Sequence, residues 1–107
     1  MVSVGQDWVL WRPADDVAIH IAWSYQELQV LVERKGQTTI NQRLPFPVEV
    51  KAHYVTVTKH RVMVTAHTDD NYEVSFHVSY YPELGGTIGL HLKGLGFLLD
   101  VDLKEGQ

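Results

Sequence analysis

Apolar side chains in this chain recur at every second position, over run after run. Tyr72, Val74, Phe76, Val78 and Tyr80 alternate with Glu73, Ser75, His77 and Ser79. Ile88, Leu90 and Leu92 alternate with Gly89, His91 and Lys93, and Val17, Ile19, Ile21 and Trp23 with Ala18, His20 and Ala22. Val55 and Val57 share one parity, as do Val62, Val64 and Ala66. A strand turns successive side chains to opposite faces, so this rhythm predicts half-buried β-strands.

Turn chemistry punctuates the runs. "RPADD" (12–16), "RKGQ" (34–37), "TDDN" (68–71), "PELGG" (82–86) and "KGLG" (93–96) carry Pro, Gly, Asp or Asn. These are the residues that accept the special dihedrals of turns. In "KGLG", Gly94 is expected at the first central position of a type II′ turn. Pro45 and Pro47 in "LPFPVEV" cannot donate ladder hydrogen bonds, so that segment is expected at an edge or crossing between sheets. "SYQELQVLVERKG" (24–36) fits a helix capped by Ser24 and Glu27, but Leu28, Val30 and Val32 also continue a strand alternation. The β-branched valines favour strand. The fold class expected is therefore all-β: about nine antiparallel strands, mostly a meander, forming a β-sandwich or flattened up-and-down barrel. The 107 residues fit a single domain, 1–107, with 1–6 and 104–107 expected to fray.

Register follows from matching apolar faces, because a slip of one residue turns every side chain over. Closing "PELGG" apolar to apolar sets Val78 opposite Leu90 and His77 opposite His91. Closing "TDDN" likewise sets Val64 opposite Phe76, Met63 opposite His77 and His67 opposite Glu73. Closing "KGLG" sets Leu92 opposite Phe97 and Leu98 beside His91, with Asp100 diagonal to it. The two imidazoles thus become cross-strand neighbours on the polar face.

Composition narrows the chemistry. The absence of cysteine excludes disulfides and thiolate ligands or nucleophiles, and fits a reducing, cytoplasmic setting. The net charge of −4 and scattered basic residues argue against nucleic acid as a partner. No apolar run reaches membrane-spanning length, and the first residues lack the basic and apolar regions of a signal peptide. No serine stands in a nucleophile-elbow context, so catalysis is not the expectation.

Three functional readings follow. Met63, Leu98 and Leu31 are apolar residues at outward positions, and an apolar patch on a wet face asks to be covered. The leading reading is a non-enzymatic module binding a protein partner, or forming a homo-oligomer, through a sheet face. Its binding residues would be Trp11, Met63, His77, His91 and Leu98. Trp11 is included because Trp8 and Trp11 have opposite parity, so that one of them must face outward. The second reading is a lipocalin-like barrel for a small apolar ligand, with inward-facing His53 and Gln42 lining a cavity. The third is a divalent metal held by His77, His91 and Asp100 in a metal-dependent enzyme.

Overall fold

The computed structural model describes residues 1–104 and has ten strands and no α-helix among them. The chain divides into two compact units, Met1–Val48 with Lys104, and Glu49–Leu103. Each unit carries one five-stranded antiparallel sheet in which sequence neighbours pair. The all-β class and the antiparallel meander are those the alternation predicts.

The first sheet contains β1 (Val2–Val4), β2 (Trp8–Ala14), β3 (Val17–Ser24), β4 (Gln26–Arg34) and β5 (Gln37–Phe46), in that order. Strand β1 lies in the segment expected to fray; Val2 pairs with Trp11 and Val4 with Val9. Residues 105–107 of the C-terminal segment expected to fray lie outside the described residues. Strand β4 settles the ambiguous segment as extended. Its buried residues Leu28, Val30 and Val32 stand opposite Leu44, Gln42 and Ile40. Val9, Trp11, Ile19, Ile21 and Phe46 are buried with them. Pro13 falls where the β2–β3 ladder shifts register, and Pro45 lies on the edge strand β5. Both are places where a missing N–H costs no ladder bond.

The second sheet contains β6 (Ala52–Val57), β7 (Arg61–His67), β8 (Glu73–Tyr81), β9 (Thr87–Gly94) and β10 (Phe97–Leu103). A single 3-10 turn, Pro82–Leu84, joins β8 to β9. Val62, Val64, Phe76, Val78, Leu90 and Leu92 are buried along one face. At roughly 1.5–3 kcal/mol for each large aliphatic side chain removed from water, this row is the main force holding the register.

The predicted pairings across β7, β8 and β9 are present: Val64 with Phe76, Met63 with His77, His67 with Glu73, and His77 with His91. The β9–β10 hairpin differs from expectation. Gly94 pairs with Phe97, so the turn residues are Leu95 and Gly96, and both have positive φ, 50° and 84°. That is a type I′ turn, whose twist matches the flanking strands. Gly94 instead closes the ladder, with φ 117°, where an added Cβ would fall 2.5 Å from the Glu73 carbonyl oxygen. The register moves by two residues, which preserves the faces and changes the partners. Asp100 becomes the direct neighbour of His91, and Leu98 that of Lys93.

Candidate functional site

The outward face of the second sheet can be written as rows running across the strands. One row reads Thr56, Met63, His77, His91, Asp100. The next, toward the β8–β9 connection, reads Arg61, Ser79, Gly89, Asp102 from β7 to β10. Its two central members are small, and their neighbours are long. The result is a shallow, open depression of about 250 Å³, lined by Arg61, His77, Ser79, Tyr81, His91 and Asp100.

Ladder pairing sets the imidazole geometry. The ring centroids of His77 and His91 are 5.2 Å apart, with planes tilted by 44°. Arg61 Nη1 lies 3.3 Å from His77 Nδ1. A guanidinium has no acceptor, so Nδ1 must accept and the ring proton resides on Nε2. Partial burial, the Arg61 charge and His91 all hold the His77 pKa below its ordinary value. His77 is therefore a neutral imidazole with its Nε2–H free to donate. His91 Nδ1 lies 3.9 Å from Asp100 Oδ2. The site is thus built of donors toward β7 and carboxylates toward β10.

This arrangement bears directly on the metal reading. Among the described residues, no three His, Asp or Glu side chains gather closely enough to hold a metal ion. Asp100 is nearer to His91 than the expected register implied. Yet the Arg61 guanidinium occupies the Nδ1 side of His77, and a fixed cation disfavours a second one there.

The remaining candidates separate. Leu98 is 80% exposed on β10, and Met63 is half-buried beside His77. Trp11 is corrected: it is 2% exposed and belongs to the core. The outward tryptophan is Trp8, 44% exposed, and both lie on the first sheet. Parity required one outward indole and could not say which; pairing of Trp11 with Ile19, inside the buried row, decides it. Leu31 also belongs to the first sheet, opposite His20 and Asn41. Gln42 is half-buried on β5 and faces Val30, with its amide donating to the Arg43 carbonyl at 3.4 Å. His53 is half-buried on β6, opposite Ala66.

Two lining residues, Arg61 and Ser79, were not singled out by sequence. The signal was present, because each is one or two pairing steps from the His77–His91 row on the same parity. Tyr80 is buried, and Tyr81 takes the outward parity. Compared with known proteins, the chain matches no family model, no curated protein and no solved structure.

Proposed function

We propose that this protein is a non-catalytic binding module that acts through the outward face of its second sheet. The observation that carries the reading is the depression over Ser79 and Gly89. It joins polar donors, the Asp100 carboxylate and two imidazoles in the middle of a face whose rim carries exposed Leu98 and Tyr54. Exposed apolar groups around convergent polar groups are the composition of a recognition surface. The shallowness of the depression favours a broad partner over a small enclosed ligand, which needs a deeper cleft to lose most of its water.

Site-specific photo-crosslinking tests this. A photoreactive side chain is placed at position 98 or 63, and in parallel at the exposed positions 8 and 25 of the first sheet. Discrete adducts from 98 and 63, with none from 8 and 25, are the expected result. Adducts from the first-sheet positions alone would overturn the assignment of the face.

A further inference from the structure

The charges on this face are distributed antisymmetrically. Arg61 stands on β7, while Asp100 and Asp102 stand on β10, and the midline between them is the β8–β9 seam. The Asp100 side chain is 82% exposed, and Arg61 and Asp102 are exposed as well. No basic residue faces outward from β10 along Leu98, Asp100 and Asp102, and no acidic one from β7 between Arg61 and Thr65. Exposed Glu73 on β8 and Lys93 on β9 carry the opposite signs at the other end of the face, so each half holds both signs in inverted order along the strands, and such a face is complementary to itself after rotation.

We propose that a second copy of this chain covers the outward face of the second sheet, related by a two-fold axis parallel to the strands and lying over the β8–β9 seam. This rests on the face assigned above and names its occupant. Such an axis inverts the strand order and preserves the position along the strands. It therefore sets β7 against the second copy's β10, and β8 against the second copy's β9. Arg61 of one copy meets Asp102 of the other, with Asp100 one row away. Because the interface is isologous, the same pair forms twice.

The apolar residues obey the same operation. Thr65 lies level with Leu98 along the strands, since Thr65 pairs with Ser75, Ser75 with Lys93 and Lys93 with Leu98. Thr65 itself is buried, 3% exposed, so the exposed Leu98 of one copy meets Tyr54 of the other, which pairs with Thr65 on β6. Leu98 and Tyr54 are 80% and 55% exposed in the single chain. At the midline, Ser79 faces the second copy's Gly89, so the two depressions meet and leave room for the four imidazoles. Sheets packed face to face stand about 10 Å apart, a distance that Arg61 and Asp102 span together. With charge at its margins and polar groups at its centre, the dimer is weak and sensitive to salt.

The test is sedimentation of the full chain over a range of concentrations up to about 1 mM, at low and high salt. The expected result is a concentration-dependent dimer that weakens in salt. Arg61→Asp and Asp102→Arg, each alone, create two like-charge contacts per dimer and should lower the association constant about tenfold or more. Mixing the two variants gives one native pair and one with its charges reversed, so a heterodimer near wild-type strength should form. Circular dichroism of each variant confirms the fold. A wild-type chain that stays monomeric throughout the range, or a mixture no better associated than its components, would overturn the proposal. Crosslinks from position 98 to a different protein, in a chain that stays monomeric, would sink this inference and leave the assigned face standing.

Discussion

His77 shows how much one residue's surroundings alter its chemistry. Its Nδ1 accepts from Arg61, and partial burial, the guanidinium and His91 all oppose its protonation. The folded-state pKa lies below the unfolded value of about 6.5. The native state consequently binds fewer protons than the unfolded chain as pH falls. The stabilisation is complete above about pH 6.5 and is lost as pH drops through the depressed folded value. Urea midpoints measured between pH 7.5 and 5 should fall, and His77→Gln should flatten part of that slope. An imidazole titration by NMR that placed His77 at or above 6.5 would contradict the geometry. Gln26 is the other residue with an unusual setting. It has φ 99° in the Tyr25–Gln26 turn between β3 and β4, a conformation suited to glycine. Relief of the side-chain clash outweighs the extra freedom that glycine has in the unfolded chain. Gln26→Gly should therefore raise stability, by up to about 1 kcal/mol in denaturant unfolding.

Among the elements, hairpins were legible in proportion to how strongly their strands alternate. The β7–β8 and β8–β9 registers could be read because Val62, Val64, Phe76, Val78, Leu90 and Leu92 bury together and the turns between these strands close where their residues predict. The β9–β10 hairpin was misread by two residues. A two-residue slip keeps every face unchanged, so parity carries no information about it, and the turn alone decides. Both Gly94 and Gly96 were available to that turn; the local twist selected Leu95–Gly96. The β3–β4 turn was invisible for the opposite reason, since Tyr25 and Gln26 carry no turn chemistry at all. The error at β9–β10 mattered for the site, because it exchanged Leu98 for Asp100 beside His91. It also supplies a prediction. Leucine is a poor occupant of φ 50°, whereas asparagine followed by glycine is the preferred type I′ pair. Leu95→Asn should stabilise the hairpin by about 0.5–1 kcal/mol, seen as a higher denaturation midpoint with an unchanged slope. A loss of stability would mean that Leu95, 42% exposed, contributes more through packing than it costs in strain.

At the scale of the molecule, the two five-stranded sheets have four edge strands among the described residues: β1 and β5 in the first, β6 and β10 in the second. Unpaired edges invite pairing with other chains, and each of these is blunted differently. Strand β1 is three residues long and β6 only six. Strand β10 carries Asp100 and Asp102, the same carboxylates that the proposed dimer uses across its face. Strand β5 is the longest at ten residues, and it relies on Pro45, with Pro47 just beyond. The alternation pattern could place these strands without saying which would be edges, because edge status depends on where the ladder stops. Only the prolines marked one in advance. If Pro45 is what keeps β5 from templating another strand, Pro45→Thr restores an N–H donor and a β-forming side chain on an otherwise ready edge. Intramolecular stability should change by less than about 1 kcal/mol, since the substitution is at the margin of the sheet. Aggregation should change far more. Light scattering on incubation below the melting temperature should show growth beyond a dimer several-fold faster than wild type, through edge pairing that salt does not suppress. An unaltered rate would assign the protection of β5 to something other than its missing donor.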